Sequence, residues 1–171
     1  MFEYEVADIN LGGLTSPVVQ IREITNVKEK RKWMEYFIKA YSGPLLKLQP
    51  HMFGKFCKFF VASIDGKDAG FIRIVNCTND WSKYYCGEVY SATDAYVKMP
   101  YRGNGILLQL LEYVIEHYNV LSVRMQTERL ERYSRYYASL GFTNAWTVCD
   151  GDIAIAVPDK FMDAVERRFF E

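Results

Sequence analysis

Residues 97–107 limit what this chain can fold into more than any other segment does. Their sequence, VKMPYRGNGIL, places two glycines in a turn between a strand-like run and a helix-like run. Upstream, residues 88–99 predict a long strand. The side chains expected on one face of that strand are Val89, Ser91, Thr93, Ala95 and Val97. Downstream, apolar residues recur at helical spacing from Gly105 to Tyr118, in a stripe broad enough to pack against a sheet. The segment therefore predicts a strand, a glycine turn and a buried helix in direct succession.

The rest of the chain alternates between strand and helix patterns. We predict further strands over residues 18–24, 57–64, 69–76, 121–126, 142–149 and 153–157. Helices are predicted from Asn26 to Gly43 and over residues 129–140 and 159–170. Residues 77–87 are predicted to form a polar loop. Strands joined by short loops, such as the pair around Asp65 and Gly66, are predicted to be antiparallel, and strands linked by helices to be parallel. The expected fold class is α/β (α+β), with a mixed, mostly antiparallel sheet of about six or seven strands flanked by helices.

Length and charge limit the possible function classes. We expect one domain over residues 1–171, with residues 1–16 as an N-terminal extension and residues 159–171 as a C-terminal helix. The 21 basic and 21 acidic side chains cancel, which argues against a nucleic-acid partner held through its phosphates. No apolar run approaches the roughly 18 residues of a membrane span, so no membrane partner is expected. We predict a cytoplasmic protein that is a monomer or a homodimer.

The four cysteines form no CxxC pair, and the chain has only two histidines. Because a zinc site needs closely spaced Cys and His ligands, we expect no metal and a reducing compartment. None of the cysteines has a histidine near it in the sequence to activate its thiol. A covalent acyl-cysteine route is therefore not expected.

The glycine turn ahead of the predicted helix is the strongest functional signal. Backbone N–H groups in the first turn of a helix lack internal partners and attract anions. Gly103 and Gly105 leave room for an incoming phosphate, and Arg102 adds a cation. Three interpretations compete: glycines that only serve the turn, a dinucleotide-binding fold, and a coenzyme A pyrophosphate site. The dinucleotide interpretation is weakened because Leu108 stands at the third glycine of GxGxxG and the segment follows antiparallel strands.

Two stretches of the chain resemble the GNAT N-acetyltransferase superfamily. The segment VKMPYRGNGILLQLLEYV looks like the family's acetyl-CoA signature, [QR]-x-x-G-x-[GA] after a strand ending in V-x-P. Arg102 and Gly105 match that signature, and Leu107 stands at its last position. The stretch YYASLGF at residues 136–142 is similar to the family's FYEKLGF. The resemblance covers about residues 18–157.

The resemblance implies a splayed sheet and direct transfer of an acetyl group from acetyl-CoA to a primary amine. Acetyl-CoA is the cosubstrate that the resemblance implies, with its pantetheine arm hydrogen-bonded to the backbone of Ala95, Tyr96 and Val97. The residues implied for the pyrophosphate are Arg102, Gly103, Asn104, Gly105, Ile106 and Leu107.

The resemblance also suggests catalytic residues. Tyr137 falls where many members keep the tyrosine that protonates the departing thiolate. Its alternative role is core packing, since it shares a helical face with Leu130, Tyr133 and Leu140. Asp94 is a candidate general base on the long strand, although it could equally be a polar residue on an exposed face. Some enzymes of this type need no dedicated base.

Recognition of the acceptor would come from residues 41–56, 77–87 and 150–152. Asp150, Asp152 and Glu128 could attract a cationic amine, although charged turns are usually just solvated. The expected acceptor is a small-molecule or peptide amine. The alternative function is a non-catalytic GNAT-like module that binds acyl-CoA or another protein.

Overall fold

The computed structural model describes residues 18–41 and 47–170. The strands are β1 Gln20–Ile24, β2 Cys57–Ile64, β3 Lys67–Asn76, β4 Tyr90–Val97, β5 Val120–Gln126, β6 Asn144–Val148 and β7 Ile153–Val157. The helices are α1 Val27–Tyr41, α2 Thr78–Trp81, α3 Ile106–His117, α4 Thr127–Arg132, α5 Ser134–Ser139 and α6 Met162–Phe170. The predicted N-terminal extension, 1–16, and the predicted helix end at Gly43 lie outside the described residues. Within those residues, no helix is long and apolar enough to cross a membrane.

The strands form one mixed sheet in the order β1-β2-β3-β4-β5-β7-β6. Neighbouring strands are antiparallel except β4 and β5, which are parallel. The predicted fold class is confirmed, and so is the parallel pair joined by α3. The prediction is wrong for β1 and β2, which α1 links and which pair antiparallel. Residues 25–56 separate the two strands, which is enough chain for either direction of pairing.

Helices cover both faces of the sheet. On β2, Phe60 and Ala62 belong to the apolar cluster formed with α3, whereas Phe59 and Val61 belong to the cluster formed with α1. Because successive side chains of a strand point to opposite faces, α1 and α3 lie on opposite sides of the sheet. A third cluster packs α6 against β5 and β7. The middle of the chain therefore has a core on each side of the sheet.

A bulge interrupts β4 at Thr93. Arg73 of β3 pairs with Asp94, but the next residue, Ile74, pairs with Ala92, so Thr93 is the extra residue. The residues of β4 that join the α3 cluster are Tyr90, Ala92, Ala95 and Val97. The predicted single face of Val89, Ser91, Thr93, Ala95 and Val97 is therefore wrong, because the bulge reverses the alternation halfway along the strand.

The sheet divides between β4 and β5. These strands pair over only three positions, Tyr90 with Val120, Ser91 with Ser122 and Ala92 with Val123. Beyond Ala92, β4 continues beside β3, while β5 continues beside β7. We call the gap that opens there the split. It confirms the splayed sheet that the family resemblance implies.

Two helical predictions need correction. The single helix expected over residues 129–140 is two helices, α4 and α5, because Tyr133 leaves helical geometry with φ −116° and ψ 24°. The loop expected over residues 77–87 contains the short helix α2. Just before it, the side chain of Asn76 accepts a hydrogen bond from the Thr78 N–H at 3.0 Å. The predicted start of α1 is confirmed, since Asn26 Oδ1 accepts the backbone N–H of Lys28 at 2.8 Å.

Candidate functional site

The glycine turn lies between β4 and α3 and depends on left-handed backbone geometry. Gly103 has φ 81° and Gly105 has φ 68°, values that side-chain-bearing residues rarely adopt. Gly105 is the last residue before α3. The side chain of Asn104 braces the turn by donating a hydrogen bond from Nδ2 to the Tyr101 carbonyl at 3.0 Å. The turn is therefore a fixed structure at the start of the helix.

The start of α3 is suited to an anion. Ile106, Leu107 and Leu108 are buried, so packing holds the first turn of the helix in place. No acidic side chain stands in that first turn, within a helix that is described in full. Its N–H groups carry the positive end of the helix dipole. A phosphate group fits the chemistry of this helix end.

An open concavity lies against the turn. It is lined by Tyr41, Val97, Tyr101, Arg102, Gly103, Gly105, Ile106 and Leu107. The Arg102 side chain stands at its edge, where Nε donates a hydrogen bond to the Val97 carbonyl at 2.9 Å. The predicted turn residues Arg102, Gly103, Gly105, Ile106 and Leu107 are thus brought to one surface, and Asn104 supports them from within the turn.

The register of β3 and β4 decides which backbone groups face the split. The Lys98 N–H donates to the Ala69 carbonyl at 2.8 Å, so Lys98 faces β3. Because hydrogen-bonded pairs alternate along antiparallel strands, the backbone of Tyr96 also faces β3, while that of Ala95 and Val97 faces the split. The expectation for Tyr96 therefore needs a correction: its backbone belongs to the β3 ladder, and only its side chain is left for the site.

Tyr137 lies in the core. Its side chain is 1% exposed and belongs to the apolar cluster that holds Ala92 and Ala95 of β4 and Val123 and Met125 of β5. That cluster includes residues from both sides of the split. The burial fits the packing role proposed for Tyr137, and it also places the ring among the strands that border the split. Its role as an acid stays a prediction.

Asp94 forms a buried ion pair with Arg73. The Arg73 guanidinium contacts the Asp94 carboxylate, and the two side chains are 11% and 14% exposed. The Thr93 hydroxyl also donates to that carboxylate at 3.0 Å. Burial acts to raise the pKa of the Asp94 carboxyl, but the surrounding positive charge and hydrogen bonds outweigh it and hold the pKa below its ordinary value. A carboxylate with a lowered pKa is a weak proton acceptor, and these contacts are those of a structural ion pair.

Polar groups continue along the sheet beside this ion pair. Ser91 and Ser122 are hydrogen-bonded through their hydroxyl oxygens at 2.7 Å, across the three-position seam of β4 and β5. Cys77 lies 3.7 Å from the Ser91 hydroxyl, and burial raises the pKa of its thiol. A raised pKa makes Cys77 a poor nucleophile. Among the residues that the structure describes, no cluster of His, Cys, Asp and Glu side chains could hold a metal ion.

A second concavity lies at the end of β5. Its lining residues are Gln126, Thr127, Glu128, Glu131, Gly151, Asp152 and Ile153. The structure thus brings together the predicted acceptor residues Glu128 and Asp152, with Glu131 beside them. Asp150 is exposed in the adjoining turn and is not part of that lining.

Sequence reasoning missed Arg73 and assigned Tyr41 to a different surface. Arg73 was not anticipated as the partner of Asp94, although an arginine within the apolar run FIRIV is a signal that a buried anion lies nearby. Tyr41 was expected among the acceptor residues, whereas it lines the concavity at the glycine turn. No local signal connects Tyr41 with that turn, because they meet only through the packing of α1 on the sheet.

Comparisons with known proteins agree with this geometry. A family model described as an acetyltransferase (GNAT) domain matches residues 55–144, which include β2 to α5, the turn and the split. The comparison with curated protein sequences yields no match.

Several solved structures share the fold at low sequence identity. An aminoglycoside acetyltransferase, meta-AAC0020, from an uncultured soil metagenomic sample and bound to sisomicin is 12% identical, with a TM-score of 0.59 over 77% of this chain and 92% of that one. The ribosomal-protein-S18-alanine N-acetyltransferase from Escherichia coli is 18% identical, with a TM-score of 0.54 over 82% and 94%. Arabidopsis thaliana NAA60, in complex with acetyl-CoA, is 14% identical, with a TM-score of 0.54 over 82% and 97%.

Proposed function

Because this chain belongs to the GNAT acetyltransferase family, we propose that it moves an acetyl group from acetyl-CoA to a primary amine by direct transfer. One observation carries the proposal: a turn with two left-handed glycines stands at the start of α3, at the end of the strand that borders the split. A phosphate-binding helix end beside an open strand edge suits a ligand that has both phosphates and an amide-containing arm.

The chain's own residues supply binding and orientation. The N–H groups at the start of α3 and the Arg102 side chain would hold the pyrophosphate, with Gly103 and Gly105 keeping the approach open. The backbone of Ala95 and Val97 would hydrogen-bond the pantetheine amides, since both residues face the split. The bound thioester would then lie between β4 and β5, close to the point where the two strands come together.

Tyr137 is proposed as the acid. As the acceptor nitrogen forms its bond to the acetyl carbon and the carbon–sulfur bond breaks, the Tyr137 hydroxyl would give its proton to the sulfur. The ring belongs to the cluster around the split, which supports this placement. Solvent would return the proton after coenzyme A leaves.

The proton of the attacking amine is proposed to leave without a dedicated side-chain base. Asp94 is a poor acceptor because its pKa is lowered and its carboxylate is paired with Arg73. The rate should then follow the fraction of acceptor that is already neutral, so kcat/KM should rise with pH toward the pKa of the amine itself, about 10 for a lysine-like amine.

A small-molecule or peptide amine is proposed as the acceptor. One neighbour is named as an aminoglycoside acetyltransferase and another as an alanine N-acetyltransferase of a ribosomal protein. Both kinds of amine therefore belong in a test. The concavity at the end of β5 carries Glu128, Glu131 and Asp152, and this negative charge would favour a cationic acceptor.

Calorimetry with acetyl-CoA, followed by thiol release with sisomicin and with an alanine-terminated peptide, tests the proposal. Gly105→Glu should abolish acetyl-CoA binding, because its side chain would occupy the phosphate position and add a repulsive charge. Gly66→Glu is the matched control: Gly66 also has a positive φ, of 76°, but lies in the β2–β3 hairpin with nothing within 4 Å of an added Cβ. Equal acetyl-CoA affinity in the two folded variants would disprove the site, and binding without thiol release from any amine would favour the non-catalytic module.

A further inference from the structure

The Arg102 side chain rests on an aromatic ring that belongs to another part of the site. Its guanidinium carbon lies 5.5 Å from the centre of the Tyr96 ring, within the range of a cation–π contact. Its Nε is at the same time bonded to the Val97 carbonyl at 2.9 Å. Two neighbouring residues of β4 therefore hold the guanidinium from two directions.

The Tyr96 ring is itself fixed by α1. The ring of Tyr36 stacks on it with centres 5.9 Å apart and planes 5° apart, and the ring of Tyr41 meets it edge-on at 6.2 Å. Tyr41 also lines the concavity at the glycine turn. The β3 ladder therefore fixes the Tyr96 main chain, and the rings of Tyr36 and Tyr41 pack against its side chain.

A long arginine side chain loses rotamer freedom when it binds an anion, and this entropy lowers affinity. A guanidinium that is already held has less freedom to lose. The Arg102 side chain is held by Val97 through its Nε and by the Tyr96 ring through its face, and it lines the concavity at the glycine turn.

We propose that Tyr96 is a positioning residue for coenzyme capture, whose ring, held by Tyr36, preorients the Arg102 guanidinium toward the pyrophosphate. This inference rests on the proposed function, because it needs the turn to bind coenzyme A. It assigns Tyr96 a role through its side chain, and that role is separate from any backbone contact with the pantetheine arm.

The test measures coenzyme A affinity by calorimetry in a double-mutant cycle. Tyr96→Leu removes the π face but keeps an apolar side chain, and should weaken coenzyme A binding about 3- to 10-fold, the range of a cation–π contact. Tyr96→Phe keeps the ring and should stay within about twofold of wild type. In an Arg102→Ala background, Tyr96→Leu should have almost no further effect, because the group it positions is gone.

Three further measurements separate positioning from mere packing. The loss of affinity from wild type to Tyr96→Leu should be the same for dephospho-coenzyme A as for coenzyme A, since both carry the pyrophosphate. In turnover, Tyr96→Leu should raise the KM for acetyl-CoA while kcat stays within about twofold. Tyr84→Leu makes the same change in a half-buried tyrosine that packs on Trp81 and is not part of the proposed coenzyme site, and it should leave coenzyme A affinity unchanged.

Failure of the inference can be told from failure of the proposed function. The inference is overturned, and the site stands, if Arg102→Ala weakens coenzyme A binding but Tyr96→Leu does not. It is also overturned if the double variant loses affinity by the product of the two single fold-changes. If Gly105→Glu and Arg102→Ala both bind coenzyme A like wild type, the proposed site is wrong and the inference falls with it.

Discussion

The charged pair at the centre of the sheet shows how a single residue can suggest one role and fill another. Asp94 stands on the strand where an acetyltransferase could place a base, yet Arg73 contacts its carboxylate and both side chains are largely buried. Removing one partner of such a pair leaves an unbalanced buried charge, which costs far more than losing a surface ion pair. We therefore expect Asp94 to matter for stability.

Asp94→Asn should lower the free energy of unfolding by about 3 kcal/mol at neutral pH. Because the pKa of Asp94 is lowered in the folded state, its stabilisation is full above the ordinary pKa of 3.8 and is lost as pH falls through the lower, folded value. The difference in free energy of unfolding between wild type and Asp94→Asn should thus be constant from about pH 5 to 8 and shrink below about pH 4. Urea unfolding at several pH values measures it.

Glu35→Gln is the matched control for that experiment. Glu35 pairs with Arg31 at 3.2 Å, but both side chains are more than half exposed, so the change should cost at most about 0.5 kcal/mol. A stable Asp94→Asn protein whose kcat collapses would contradict the structural role and restore Asp94 as a base.

Tyr137→Phe separates the two roles of that tyrosine, because it keeps the ring in the core and removes only the hydroxyl. If Tyr137 is the acid, kcat should fall about 10²–10⁴-fold while the melting temperature and the acetyl-CoA affinity change little. Tyr136→Phe is the control: its hydroxyl donates to Glu112 at 2.7 Å, and its loss should be mild for turnover. Wild-type kcat in Tyr137→Phe on the best amine would rule out the acid role.

At the scale of elements, the pairing of β3 with β4 sets the position of the whole site. Gly70 of β3 lies opposite Val97 and so close to β4 that an added Cβ would stand 2.8 Å from the Tyr96 carbonyl oxygen and 3.2 Å from the Val97 Cα. Both atoms belong to the backbone and cannot rotate away. The close approach of the two strands therefore depends on glycine at this position.

Gly70→Ala should force β3 and β4 apart and lower the free energy of unfolding by about 1–3 kcal/mol, the usual cost of overpacking. Because β4 carries Tyr96 and leads into the glycine turn, acetyl-CoA affinity should fall as well. Gly54→Ala is the matched change, since its Cβ would meet nothing closer than 3.7 Å, and it should alter stability by less than about 0.5 kcal/mol. Equal urea midpoints for the two variants would contradict this account of the strand pair.

At the scale of the whole molecule, sequence patterns within one segment predicted the strands and the glycine turn well. Contacts between distant segments could not be predicted from them. Strands β2 and β7 begin and end where the sequence predicts, because turn residues such as Asp65 and Gly66 bound them. The glycine turn was likewise predicted from one continuous segment. The reversal of alternation at Thr93 was not, because a bulge arises from the register of two strands.

The remaining differences also lie in contacts between distant segments. The antiparallel pairing of β1 with β2 joins residues as far apart in the chain as Gln20 and Ser63, and no periodicity encodes it. The Arg73–Asp94 pair and the support of Tyr96 by Tyr36 join residues that meet only after the sheet and α1 are assembled. In the site, therefore, the phosphate-binding turn could be predicted from sequence, whereas the side chains that hold it in position could not.

The three-position seam between β4 and β5 has a consequence for the exchange of amide protons with water. Within the described residues, the N–H groups of Tyr96 and Lys98 point to β3, whereas those of Ala95 and Val97 point into the split. Hydrogen-exchange NMR of the free protein should therefore find slow and fast amides alternating along one strand. Addition of coenzyme A should slow the fast pair selectively, and uniform protection before addition would contradict the split. Exchange along β4 would then report coenzyme capture residue by residue, before any acceptor is known.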